Sequence, residues 1–246
     1  MTDASATLSA VDVSTARSVP RAATAVGYAV ATKGAVPRQL GLSRSALETN
    51  GFTAKSGQVL AVPSGDGLAV AIGVGDPGSI DANGLRSAAA AFARAASRHA
   101  HLATNLAEVD GVDAKAAGQA VVEGVLLGSY RYVGLKHDDG VGSNLESLAL
   151  VVGEKRQKGV DQGAERGAVV AAAAAFAREL ANTPPTHLNA KDIAAKAVDI
   201  GSASGLHVEV FNKDELEQMG CGGILGVNRG STEPPRMVKL TWSPKN

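Results

Sequence analysis

Few side chains in this polypeptide have the type and spacing to do chemistry. Gly73-Val-Gly-Asp-Pro-Gly78 matches the G-x-G-x-x-G spacing, whose glycines let backbone amides approach a pyrophosphate at a helix N-terminus. Its surroundings oppose that role. Pro77 lies inside the loop, the expected helix begins only near Asn83 or Gly84, and Arg98 stands where an acid about 20 residues on would hold a ribose. Of the 5 histidines, His99 and His101 are two apart in a helical pattern and would point about 200° apart, so they cannot share an ion. We expect His99 partly buried and His101 solvated, with His137 in a loop, His187 in a post-helix turn and His207 in a strand. Cys221, in Gly220-Cys-Gly-Gly223, has no nucleophile signature and is expected as a small packed thiol. There is no G-x-S-x-G elbow and no loop ending in Gly-Lys-Ser/Thr. Lys155, Arg156 and Lys158 are accompanied by Glu154 and Asp161, as in a solvated turn rather than a nucleic-acid patch. Spacing alone therefore assigns no catalytic, metal-binding or cofactor-binding residue.

The elements that would position such groups alternate between two periods. Residues before about Ala23 are rich in Ser, Thr and Ala and predict a loose leader or weak first strand. Ala25–Val30, Gln58–Val62 and Leu68–Val74 are β-prone runs bounded by glycine and proline, with a short helix over Ser43–Asn50 between them. A stripe at Leu85, Ala89, Phe92, Ala96, His99, Leu102 and Leu106 predicts one helix over Leu85–Ala107, opposite a polar face of Arg94, Arg98, His101 and Asn105. A helix over Ala114–Tyr130 and a buried strand over Leu148–Val152 follow. The polar, glycine-bearing stretch Arg156–Gly163 predicts a turn. The helix after it, Ala164–Asn182, should bury Val169, Ala173, Phe176 and Leu180, and it is stopped by Pro184 and Pro185.

Beyond the prolines, Asn189 and Asp192 have N-cap spacing, because a carboxylate suits the positive end of the helix dipole. Leu206–Phe211 predicts a strand, Asp214–Met219 a short helix, Gly222–Val227 a glycine-rich strand and Met237–Trp242 another strand. Alternation of this kind specifies an α/β fold with a largely buried sheet. We divide the chain into an N-terminal α/β domain, 1–160, and a second portion, 161–246. The last strand runs toward Asn246 with nothing to cover its far side, so the second domain is expected to be incomplete.

Composition restricts the partners. The 246 residues carry 24 Lys+Arg against 24 Asp+Glu, so no global basic field exists to hold nucleic acid. With 45 alanines and 3% aromatics, cores must be built from small side chains at close range. One cysteine suits a reducing cytoplasm, and Met1–Val19 lacks the basic start and apolar stretch of a secretory signal. The longest apolar run, Ala168–Ala177, is far below the roughly 20 residues that span a bilayer.

Three ordered runs carry a resemblance. Ala177-Arg-Glu-Leu-Ala-Asn-Thr-Pro-Pro185 resembles the "A-R-D/E-L-x-N-x-P-P/S" segment of the leucyl aminopeptidases, the cytosol aminopeptidase family. The run from Gly220 through Gly230-Ser-Thr-Glu-Pro-Pro-Arg-Met-Val-Lys-Leu240 is similar to that family's "G-M-G-G-L-L-A-V-x-x-G-S-x-x-P-P-R-L" run, with Cys221 in place of methionine. Glu123-Gly-Val-Leu-Leu-Gly-Ser-Tyr-Arg-Tyr132 resembles its "E-G-x-x-L-x-x-Y-R/K-F" helix. The departure at Thr186-His187, where Asn-Asp is common, lies outside the chemistry.

The resemblance implies an N-terminal domain like the macro domains, followed by the opening of a mixed-sheet peptidase domain. It implies a cytoplasmic homo-hexamer that removes N-terminal residues from peptides. Two divalent ions, Mn²⁺ or Zn²⁺, would polarise the scissile carbonyl and lower the pKa of a bridging water. The family's metal and catalytic groups sit in a Gly-Lys-Gly…Phe-Asp-Ser/Thr-Gly-Gly…Lys block and an Asn-Thr-Asp-Ala-Glu-Gly-Arg block, and neither occurs here. No ion is therefore expected on this chain, which by itself should be inactive. Its part would be structural, with Pro184 and Pro185 fixing a turn and Gly222, Gly223 and Gly230 allowing close backbone approach. The alternative is a stand-alone module that cradles ADP-ribose or another nucleotide on the Gly73–Gly78 loop.

Overall fold

Glycine and proline punctuation cuts the first part of the chain into short strands. In the computed structural model, which describes residues 10–135 and 144–244, those strands assemble around β4, Gly67–Gly75. β4 is apolar at nearly every position because both of its faces are covered. Val70, Ile72 and Val74 enter a core with Leu85 and Phe92, while Ala69 and Ala71 face a smaller one with Val30, Leu47 and Phe52. The other strands are β1 (Asp12–Ala16), β2 (Ala25–Ala31), β3 (Val59–Ser64), β5 (His101–Thr104) and β6 (Ser147–Val151). Their order is β1-β6-β5-β2-β4-β3, parallel throughout except for the β3–β4 pair.

The helices complete an α/β architecture. α1 (Arg44–Thr49) is capped by the Ser43 hydroxyl, which accepts from the Ala46 amide, and places Leu47 on the smaller core. α2 (Ala82–Ala95) and α3 (Ala114–Ser129) are capped by Asp81 and Asp113, and pack their alanine, valine and leucine faces on the larger core. α4 runs over Glu154–Asn182.

Three expectations in this half need correction. The helix set at Leu85–Ala107 ends at Ala95, because His101–Thr104 is drawn in as β5 between β2 and β6, where its backbone pairs on both sides. The turn expected at Arg156–Gly163 is helical, since α4 begins at Glu154. The face α4 buries also differs. Val160, Gly163, Ala164, Gly167, Ala171 and Ala175 are inside, while Val169 is 70% exposed. α3 approaches so closely that a Cβ at Gly163 would meet the Lys115 carbonyl oxygen, and one at Gly118 would meet that of Val160. Large side chains therefore turn outward.

The chain divides into two compact units, Met1–Glu179 and Leu180–Asn246. The sequence division lies at 160/161, and the units meet later because α4 stays with the first through Glu179. In the second, α5 (Ala190–Ser204) begins at a capping box in which Asn189 and Asp192 bond each other's backbone amides, as their spacing requires. β7 (His207–Phe211) pairs antiparallel with β8 (Met237–Thr241), and α6 (Lys213–Gln218) starts at a second box, Asn212 and Glu215. Gly222–Val227, expected as a strand, is the short helix α7, closed by the Leu225 amide on the Cys221 carbonyl.

One ion pair ties the two strands together. Lys239 Nζ lies 2.7 Å from Glu209 Oε2, and it holds the Glu209 carboxyl below its ordinary range, with His207 assisting. Because the folded carboxyl is the stronger acid, its contribution is present at neutral pH and is lost as pH falls through its lowered pKa. Carbon-detected NMR should give Glu209 a midpoint below that of a free glutamate, and Lys239→Met should raise it toward the free value. No helix among the described residues is long and apolar enough to cross a membrane.

Candidate functional site

At the exit of β4 the Gly73–Gly78 spacing has a structural cause at each glycine. The backbone of Ala54 and Lys55 crosses over Gly73 so closely that any Cβ would meet the Lys55 carbonyl oxygen. Gly75 has φ 82°, and its amide donates to the Ala54 carbonyl. The Gly78 amide donates to Asp76 Oδ1 at 3.0 Å. A carboxylate thus occupies the donor a phosphate would need. The Gly78 amide, then Lys33 at 3.6 Å, hold the Asp76 carboxyl below its usual range, so the charge is present at neutral pH. At the following helix, the Gly84 amide is already capped by Asp81 Oδ1 at 2.7 Å. These contacts oppose phosphate binding at the loop.

His99 and His101 are not on one helix, and His101, expected to be solvated, has partners. His99 lies in the turn after α2 and His101 opens β5, both part-exposed. His101 Nδ1 is 3.0 Å from Ser147 Oγ and its Nε2 is 3.7 Å from Glu146 Oε2, a trio that spacing did not reveal because β5 and β6 bring it together. These are the parts of an acyl-transfer site without an oxyanion hole. The amides of Glu146 and Ser147 both donate to the Ala100 carbonyl, leaving neither to stabilise a developing charge. His137 lies outside the described residues.

Arg156, taken as part of a solvated basic cluster, is instead a brace. Its Nε and Nη2 donate to the carbonyls of Ala107 and Val112 at 3.1 and 2.9 Å. Cys221 is a free, part-buried thiol at the start of α7.

The Glu123–Tyr132 run is a packing device. Glu123, its side chain 6% exposed, lies 2.6 Å from Arg86 Nε of α2 and accepts from Gln119 Nε2 at 2.7 Å, while Arg86 Nη1 donates to Asn83 Oδ1. A Cβ at Gly124 would meet the Arg86 carbonyl and Ala89, and one at Gly128 would meet Ala90, so both glycines bring α3 against α2. Arg86, Asn83 and Gln119 escaped the sequence reading. Their one local signal is the i, i+3 spacing of Asn83 and Arg86 and the i, i+4 spacing of Gln119 and Glu123.

In the second unit the Gly220–Leu240 run lines a hollow of about 370 Å³ between α6, α7 and the loop before β8, with Lys213, Glu217, Arg229, Glu233, Pro234 and Pro235 in its wall. Gly222, Gly223 and Gly230, expected to allow close backbone approach beneath catalytic residues that this chain does not carry, face open space here: a Cβ at each would meet nothing within 4 Å among the described residues. No three His, Cys, Asp or Glu side chains among the described residues lie close enough to share a metal ion. The described residues therefore do not fit a two-metal centre.

Two models of one family match in order: "Cytosol aminopeptidase family, N-terminal domain" over residues 30–139, and "Cytosol aminopeptidase family, catalytic domain" over 175–246. A Corynebacterium diphtheriae protein named "Probable cytosol aminopeptidase" is 37% identical over 201 residues, covering 79% of this chain and 38% of its own length. A Mycobacterium bovis protein of the same name is 38% identical over 194 residues, covering 76% and 36%. The chain thus spans under two fifths of the length of these curated relatives. Among solved structures, the bottromycin maturation enzyme BotP aligns with TM-score 0.75 and 33% identity over 90% of this chain and 46% of that one; a structure of BotP in complex with Mn aligns with the same score. A mutant of tomato leucine aminopeptidase aligns with TM-score 0.80 over 96% of this chain and 52% of that one, and at 23% identity it speaks for the fold.

Proposed function

The chain belongs to the cytosol aminopeptidase family, and from that premise we propose that its residues serve as the N-terminal domain and the opening of the catalytic domain of a metal-dependent aminopeptidase. The protein would remove N-terminal residues from peptides, working as a homo-hexamer in the cytoplasm. One observation carries the reading: both family models fall on this chain, the N-terminal one within Met1–Glu179 and the catalytic one over 175–246, which takes in all of Leu180–Asn246. The complex of BotP with Mn supports metal dependence for the protein.

We derive no step through a metal on these residues, because no described donor set fits one. In this reading the work of the chain is positional. The Arg86–Glu123 pair and the glycine contacts of α3 hold three helices on one sheet, and α4 carries the chain from that body into the second unit.

A hydrolysis assay tests the reading. The 246-residue chain with Mn²⁺ or Zn²⁺ should leave leucine p-nitroanilide intact. Joined to the part of the C. diphtheriae relative that follows the matched span, it should release p-nitroaniline in a chelator-sensitive reaction. Silence from a folded fusion would sink the assignment, and turnover by the chain alone would show that its own side chains hold the chemistry.

A further inference from the structure

Two of the runs singled out by sequence, Glu123–Tyr132 and Ala177–Pro185, lie some 50 residues apart, yet the fold brings their polar residues onto one another. Tyr130 follows the last residue of α3. Its hydroxyl donates to Glu179 Oε2 at 3.1 Å, and its ring carries the Arg178 guanidinium 5.7 Å from its centroid. Arg178 Nη1 in turn donates to the Leu127 carbonyl at 3.2 Å, a main-chain oxygen in the last turn of α3. That oxygen is among the four that a helix end leaves unsatisfied, and a cation there also meets the negative end of the dipole. Glu179 is the final residue of the first compact unit.

The place of this cluster along α4 gives it its meaning. From Gly159 to Gly167 the helix is held at glycines that meet α3, and Ala171 and Ala175 beyond them are buried. Past Ala175 full burial ends, with Phe176, Glu179 and Leu180 half-buried and Arg178 exposed, and α3 itself has ended at Ser129. A helix end so open to water frays, since its last carbonyls lack intrahelical donors. Three polar contacts on residues 178 and 179 take over where the close packing runs out. They also lie immediately before Asn182-Thr-Pro-Pro185, where the helix must stop.

We propose that Tyr130, Arg178 and Glu179 form a clasp that keeps the last turn and a half of α4 folded against α3, and so fixes the residue at which the chain leaves the first unit. The clasp owes nothing to peptide hydrolysis and holds whether or not the aminopeptidase assignment does. It implies that order at the end of α4 responds to this cluster more than the packed part of α3 does.

Amide hydrogen exchange on the 246-residue chain, resolved by residue, separates a local clasp from a general contribution to stability. Tyr130→Phe removes the hydroxyl bond and keeps the ring. A hydrogen bond to a charged acceptor supports roughly a three- to tenfold acceleration of exchange at residues 178–182. Tyr130→Leu removes the ring face as well and should raise this to about ten- to thirtyfold. Amides of Ala117–Val122, on the packed part of α3, should keep their wild-type rates in both. The proposal fails if exchange at 178–182 is unchanged in both variants, or if Ala117–Val122 accelerates by the same factor. Should a Tyr130 variant fail to fold, Glu179→Ala removes the same bond from the helix side, and the same two readings decide.

Discussion

Gly163→Ala is expected to lower the stability of the first unit by about 2 kcal/mol, although the same exchange in a free helix gains roughly 1 kcal/mol. The added methyl would be built onto the Lys115 carbonyl oxygen and within 2.8 Å of the Gln119 amide nitrogen, and neither can rotate away as a flexible side chain could. α3 and α4 would have to separate along a seam where Gly159 meets Ala114 and Gly167 meets Gln119 and Val122, so the loss spreads over several turns. Urea unfolding followed by circular dichroism should show a midpoint lower by about 1 M, given a slope near 2 kcal/mol/M. Gly226→Ala in α7 is the matched control, because no atom lies within 4 Å of its added carbon. It should be neutral or stabilising, by up to about 1 kcal/mol. Equal behaviour of the two variants would mean that the helices are not in backbone contact.

Arg86→Met should cost about 3 kcal/mol. Glu123 has a side chain that is 6% exposed and would lose the guanidinium 2.6 Å away, keeping the Gln119 amide alone. Removing one partner of a buried pair costs more than removing both, because the other charge is left without compensation. Arg86 is partly open to water, which places the cost at the low end of the usual 3–5 kcal/mol range. The double variant Arg86→Met/Glu123→Leu should recover at least half of the loss, and a double-mutant cycle by chemical denaturation measures it. Additive losses would show that the two groups do not interact in solution.

Those two sites show what the sequence could and could not convey. Strands bounded by glycine and proline, the α3 helix, the Asn189 cap and the helix stop at Pro184 were legible because each is decided within a few residues. β5 was not. Its four residues continue the apolar spacing of α2, and only the gap between β2 and β6 makes them a strand. α4 was misjudged for a related reason. Gly159, Gly163 and Gly167 have poor helix propensity and look like breakers, yet they are the residues that let α3 come near. Hydrophobicity pointed to Val169 as core, whereas close approach favours small side chains along the seam and leaves Val169 outside.

The candidate site divides the same way. Pro77 speaks against a phosphate loop within the sequence itself, but the Asp76 contact that occupies the loop is a matter of its geometry. The His101–Ser147–Glu146 trio depends on strand register, which no spacing along the chain encodes.

The strap of backbone over Gly73 has a consequence for time as well as shape. It is sewn down on both sides, Gly57 to the Gly73 carbonyl, Gly73 to that of Gln58 and Gly75 to that of Ala54, with Ala54 itself held at φ 59°. Solvent deuterons can reach the Gly73 and Gly75 nitrogens only after this stitching comes undone together with the edge of the sheet. Those two amides should therefore exchange together, at the rate at which that edge comes away, and lag behind the loops around them.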